Sequence, residues 1–296
     1  MSARKIGLAV VLTLVAQLLT PSDGYAQRLT EEEMRAQFEK LGSDDPQARL
    51  DAVEVLGRRG WRLRREIAPR LQRLLRDDPD WRVRASSGRA IGRLSTRSAV
   101  PDLVRALRDP QVEVRVVAAA ALWRLPDPAA VPALVELLND RDAAARQWGA
   151  LALGVIHDPR ATQALLRIID DPESSVRIDV IRSLGRIGDA RAMSALQDVA
   201  KNDEKADEER LEAVNALASI ESPDKVNALT RLLSVDDDRV RLRVIQALGQ
   251  VGDALAIPPL RRQRSSERGD NRAAVDTAVR EIQQRARERR EQGGDD

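Results

Sequence analysis

The chain has 296 residues, enough for one or two globular domains, but only 2% are aromatic while 32% are charged. That balance disfavours a sheet core and favours helices packed through Ala, Leu and other aliphatic side chains. A formal charge of +2 gives no global pull toward nucleic acid, and the absence of Cys removes disulfides, thiolate nucleophiles and Cys-based zinc sites.

Taken in order, residues 1–26 read as a secretory signal. Arg4 and Lys5 form a basic start, Ile6–Leu19 an apolar run and Gly24-Tyr25-Ala26 a small-x-small end, placing cleavage between Ala26 and Gln27. The apolar run contains Gln17 and is shorter than the ~20 residues of a spanning helix. A periplasmic or secreted mature protein is therefore expected, touching a membrane only if this segment stays uncleaved. Thr30 followed by Glu33 forms a capping box, and Met34, Phe38 and Leu41 recur at helical spacing until Gly42, so residues 27–42 are expected to hold a capping helix.

From residue 43 onward the chain repeats. Arg49, Arg84, Arg115, Arg146, Arg177, Arg210, Arg241 and Arg272 follow one another in steps of 35, 31, 31, 31, 33, 31 and 31. Seven residues past each comes an aliphatic residue, and eight past comes Gly57, Gly92, Trp123, Gly154, Gly185, Ala218, Gly249 or Arg280. A fixed period of this length indicates a solenoid. Within a repeat, Asp78-Pro79, Asp109-Pro110 and Asp171-Pro172 are expected to supply the N-cap and first residue of a first helix. Its buried stripe is Val176, Val180, Leu184 and Ile187 in the copy beginning at Asp171, ended by Gly188 in the left-handed conformation. Gly185 beside that stripe would let a neighbouring helix approach. A second helix starts near Pro101, Pro132 and Pro258 and buries Leu103, Leu134, Leu165, Leu196, Leu229 and Leu260. Helices of about 10–14 residues follow from that spacing. The expected architecture is all-α: an α-solenoid of about seven helical hairpins over residues 43–270, a C-terminal cap helix over 271–290 and a disordered tail over 291–296.

The pattern D-P-x-x-x-V-R-x-x-A-x-x-x-L-G-x-I-G-D-x-x-A-x-x-x-L, read from Asp171 to Leu196 with Val180 at the usual Ala position, resembles the HEAT repeat. It is most similar to the short bacterial subtype also found in phycobilin lyases. The resemblance implies a superhelix whose second helices line a concave binding face. HEAT-like metal hydroxylases hold iron through His-Glu pairs, and this chain has no His-Glu dipeptide. HEAT-like DNA glycosylases and phycobilin lyases act on partners that an exported protein does not meet.

Candidate chemistry is sparse. His157, the single histidine, falls in the turn after a first helix and reads as a loop residue, so no catalytic residue, metal site or cofactor is expected. The Arg anchors are expected to form a ladder with Asp residues of adjacent repeats. Twenty-one residues past the anchors stand Arg105, Glu136, Arg167, Asp198, Arg231 and Arg262, with Arg73 as their equivalent in the longer first repeat; five of these seven are Arg and form a candidate Arg stripe on the second helices. A basic and aromatic N-terminal surface is expected from Arg58, Arg59, Trp61, Arg62, Arg64, Arg65 and Trp81, since 13 Arg face four acids between Arg58 and Arg97. Together these indicate an exported, non-enzymatic scaffold or adaptor that binds an acidic protein or other anionic partner, and no nucleic acid. The alternative is a regulatory or sensor subunit of an envelope complex, docking through residues 198–212, where seven acids outnumber three bases.

Overall fold

The computed structural model describes residues 29–292. The expected signal, residues 1–26, and residues 293–296 lie outside the described residues. Among those described there are 16 α-helices and no strand.

The described residues up to Ala161 form one compact unit. It opens with α1 (Glu31–Lys40), where Thr30 and Glu33 make the capping box in both directions. Three pairs of first and second helices follow: α2 (Pro46–Arg59) and α3 (Arg64–Asp77), α4 (Trp81–Arg93) and α5 (Val100–Ala106), α6 (Val112–Arg124) and α7 (Val131–Leu137). Helix α8 (Ala143–Ile156) completes the unit. The second unit, from Thr162, contains α9 (Thr162–Arg167), α10 (Ser174–Ile187) and α11 (Met193–Lys201), then α12 (Asp207–Ser219) and α13 (Lys225–Thr230). It ends with α14 (Asp238–Val251), α15 (Ile257–Arg264) and the long α16 (Gly269–Gln292). The cap helix thus begins before residue 271 and takes in Glu291 and Gln292, which the sequence pattern placed in the tail.

Within each unit the closest helix approaches are of two kinds. Successive first helices lie side by side, and each second helix packs on the first helix that follows it. The apolar ladder explains both: Val176, Val180 and Leu184 are fully buried, as are Leu103, Leu134, Leu165, Leu196, Leu229 and Leu260. Gly185 permits the side-by-side approach, because a Cβ there would sit 2.7 Å from the Cα of Ala216 on α12. Gly188 ends α10 at φ 74°, where no neighbour crowds it.

Two expectations need correcting. Apart from α3, the second helices are only six to nine residues long. Three-residue 3₁₀ turns such as Pro128–Ala130 take up the start of what reads as a single helix, and the prolines sit one residue into the α-helical part. The Asp-Pro pairs also do not cap the first helices. Helix α4 is capped by Asp80, while α6 and α10 begin after Gln111 and Glu173 with no side-chain cap. Asp78, Asp109 and Asp171 lie two residues earlier still, each accepting the N–H of the residue two ahead. Only Asp45-Pro46 has the expected arrangement.

What Asp78 and Asp109 do instead, together with Asp140, is receive the anchor arginines. In the first unit Arg49 donates from Nε and Nη2 to both carboxylate oxygens of Asp78 at 2.8 Å. Arg84 grips Asp109 at 2.7 and 2.9 Å, and Arg115 grips Asp140 at 2.6 and 2.9 Å. The third nitrogen, Nη1, donates to carbonyls six and five residues upstream, for example Arg84 to Asp78 and Pro79. Each guanidinium therefore pins its own repeat's entry turn and the next repeat's entry turn at once. In the second unit the acids change and the grip loosens: Arg177 forks onto Glu209 at 2.6 and 3.0 Å, whereas Arg210 reaches Asp237 through Nη1 alone at 3.1 Å and Arg241 reaches Glu267 through Nε alone at 2.8 Å.

Three consequences can be measured on the full chain. Gly185→Ala should lower stability to denaturant by ~1–3 kcal/mol, since backbone rather than a flexible side chain opposes the added methyl. Asp78→Asn should cost ~3–5 kcal/mol, because Arg49 keeps its charge at a nearly buried site without an anionic partner. Burial by itself would raise the carboxyl pKa values of Glu209 and Glu267, but hydrogen bonds and charge from Arg177 and Arg241 hold both below the usual 4.5. Their stabilisation is complete above that value and is lost as pH falls through the lower folded-state value. The thermal midpoint should therefore drop progressively below pH 4.5.

Candidate binding surface

Helices α2 to α5 carry most of the residues expected to bind, and the structure divides them into committed and available groups. Glu54 on α2 receives Arg58 at 2.6 Å and, from α4, Arg89 at 3.0 Å and Arg93 at 3.4 Å. Arg59 reaches Glu33 of the capping helix at 3.0 Å with both carboxylate oxygens in range. Arg76 pairs with Asp102 at 2.9 Å, Arg82 with Asp80, and Arg84 is part of the ladder. Arg70 lies over the Phe38 ring at 3.8 Å and fastens α1 from the other side. Much of the basic density seen in the sequence is thus internal cement.

The remaining arginines are open. Arg62, Arg65, Arg73 and Arg97 are exposed, and among the described residues none of their side chains meets an acid. Trp61 is half exposed, at 50%, and carries Arg64 on its face at 4.6 Å, with Arg64 also donating to the Trp61 carbonyl. Trp81 is only half-buried and shares with Arg73 a cleft of about 850 Å³ between the α1–α2 and α3–α4 turns. That cleft is of mixed charge, since Asp44, Asp77 and Asp80 line it too. Arg105 on α5 is exposed in the same first unit; Arg167, Arg231 and Arg262 are exposed in the second unit. No acid among the described residues accepts from any of these four.

Trp123 and Trp148 meet edge to face at 6.2 Å between α6 and α8. Trp123, standing where sister repeats have Gly, therefore packs its ring against a second Trp on the neighbouring first helix. His157 occupies the turn after α8 at φ 57° and turns its Nδ1 onto the Val155 carbonyl at 2.9 Å. Among the described residues no group of three or more His, Asp or Glu is placed to hold a metal, and no helix is long and apolar enough to cross a membrane.

The acidic 198–212 region is only partly a surface. Glu209 is buried in the ladder and also accepts from Ser174, Glu212 receives Arg182 at 3.0 Å, and Asp207 receives Arg239. The signal for Glu209 was present in the repeat register: it stands one residue before the anchor, where Val83, Val114, Val176 and Val240 are all buried.

Overlapping matches to the family of HEAT repeats cover residues 36–115, 104–177, 138–208 and 202–280. The chain belongs to the HEAT-repeat family. No functionally curated protein matches it significantly. Similar solved structures include the complex of CpcE and CpcF of phycocyanin lyase from Nostoc, 23% identical over 89% of this chain and 98% of that one, with a TM-score of 0.48. YibA of E. coli is 18% identical over 84% and 97% with a TM-score of 0.57, and human deoxyhypusine hydroxylase is 20% identical over 75% and 87% with a TM-score of 0.38. The likeness to YibA is one of fold alone.

In this HEAT-repeat chain the division between committed and available arginines has a direct test. Arg62→Ala should change stability by no more than about 0.5 kcal/mol, as for other exposed positions. Arg59→Ala should release the capping helix and speed proteolysis between α1 and α2, read by limited digestion of the two variants side by side.

Proposed function

We propose that the protein is an exported, non-enzymatic HEAT-repeat scaffold that docks a partner with an acidic segment on its second-helix face. One observation carries this reading. In the first unit the arginines of the first helices α2 and α4 are held by acids, whereas Arg73 and Arg105 are exposed on second helices and meet no acid among the described residues; in the second unit Arg167, Arg262 and Arg231, the last in the turn after α13, are likewise exposed without an acid. Guanidinium groups held on short rigid helices lose little freedom when they fork onto carboxylates. Export is supported by the Arg4–Lys5 start, the Ile6–Leu19 apolar run and the Gly24-Tyr25-Ala26 end. A scaffolding role is consistent with the repeat family, and the absence of any His-Glu pair in the sequence argues against the iron chemistry of HEAT-like hydroxylases.

The docking reading rests on charge, so salt tests it. A fluorescent poly-glutamate probe should bind the full chain and lose at least tenfold in affinity between about 50 mM and about 500 mM salt. Arg73→Glu combined with Arg105→Glu should abolish binding at the lower salt. Binding that ignores both salt and these substitutions would refute the reading. The alternative, docking through residues 198–212, has less surface to work with because Glu209 is buried and Glu212 is paired.

A further inference from the structure

The repeat array contains its own control for one unusual turn. The 3₁₀ turns that lead into the second helices begin with Asp127, Asp158, Asp189 and Asp253, and each carboxylate accepts the N–H two residues ahead at 2.8–3.0 Å. Ser222 does the same with its hydroxyl toward Asp224. In two of these turns the arginine two residues on, Arg160 or Arg191, closes onto that same Asp. The turn after α4 departs from the pattern. Thr96 stands at the Asp position, makes no capping bond, is 8% exposed, and its hydroxyl has no hydrogen-bond partner.

Where the carboxylate is missing, positive charge collects. Thr96 lines a cleft of about 250 Å³ together with Arg64 and Arg65 from α3 and Ser95, Arg97 and Ser98 from the turn, and no acid lines it. Arg65 and Arg97 are exposed and meet no acid among the described residues, and Arg64 is held in place by its stacking on Trp61. Three arginines and three hydroxyl-bearing residues line a space of this size, with Arg65 and Arg97 open and Arg64 anchored beside it on Trp61. A carboxylate has two oxygens in one plane and a single charge; a phosphate-type oxyanion has acceptors in tetrahedral array and up to two charges.

We propose that this cleft is a binding site for a tetrahedral oxyanion of the phosphate or phosphomonoester class, which takes the place of the carboxylate that the sister turns carry. The site deepens the docking reading, since Arg64 and Arg65 belong to the same basic N-terminal surface, but it rests on residues separate from Arg73 and Arg105.

The test is calorimetric titration of the full chain at constant ionic strength with inorganic phosphate, with the soluble short-chain lipid dihexanoyl phosphatidic acid, and with dihexanoyl phosphatidylcholine as the diester control. Phosphate or the phosphatidic acid should bind and the diester should not. Phosphatidic acid binding at least about tenfold tighter than phosphate identifies a headgroup as the source, and equal affinities identify the free ion. Thr96→Asp restores the sister-turn cap, so it should hold or raise the thermal midpoint while weakening oxyanion binding at least about tenfold. Arg65→Gln with Arg97→Gln should weaken it similarly, which guards against a folding defect in either variant. Arg73→Glu with Arg105→Glu should leave phosphate affinity within about twofold, because these side chains lie outside the cleft, so loss of acidic-partner docking and loss of oxyanion binding are read apart. No binding by either phosphate species, or binding that Thr96→Asp leaves unchanged, would overturn the proposal.

Discussion

The interaction on which the rest of this structure depends is the fork of the anchor arginines Arg49, Arg84, Arg115 and Arg177 across a repeat junction. A guanidinium has donors on three nitrogens, and here all are used: two grip a carboxylate at the start of the next repeat and the third holds carbonyls at the start of its own. The geometry is only met when consecutive first helices stand in one register. Apolar packing of Val, Leu and Ala supplies the larger share of the stabilisation, but it tolerates sliding; the bidentate ladder does not. Gly185 against Ala216, and Gly57 against Ala90, set how close those helices come, and the arginines set how they are staggered.

This division of labour explains how a chain so rich in arginine leaves so few of them on offer. The first helices spend their arginines on Asp78, Asp109, Asp140, Glu54 and Glu33, so that the basic N-terminal segment is stitched together by its own charges. The second helices and the turns after them are more mixed: Arg76 is paired with Asp102 and Arg108 with Glu136, whereas Arg73 and Arg105 are exposed and meet no acid among the described residues. On the proposed docking reading, recognition falls to a sparse set of cations placed along each unit, since the overall charge is close to balanced.

Departures from the repeat are informative because every other copy serves as a reference. Glu209 replaces a buried Val and takes over as ladder acceptor in the repeat where Glu204 stands at the usual Asp position. Trp123 replaces Gly and is answered by Trp148 on the neighbouring helix. Thr96 replaces Asp, and no group among the described residues bonds its hydroxyl. The first two substitutions are compensated within the fold, and the third leaves a polar hydroxyl in a cleft lined by three arginines.

The periodic part of the chain was legible from its residues alone. A thirty-one-residue beat, the buried stripe from Val176 to Ile187, the Gly188 stop and the capping box at Thr30 are local or strictly periodic features, and local geometry suffices to read them. The existence of an arginine ladder also followed from the anchors. What only the tertiary structure decided was partnership: that Asp78 and Asp109 serve the ladder rather than a helix N-terminus, that Arg58 and Arg59 are tied down while Arg65 and Arg97 share a cleft, and that Glu209 is interior. Spacing along a helix sets which face a side chain occupies, but whether its charge is already neutralised depends on residues some thirty positions away, and that distance is bridged only when the repeats stack.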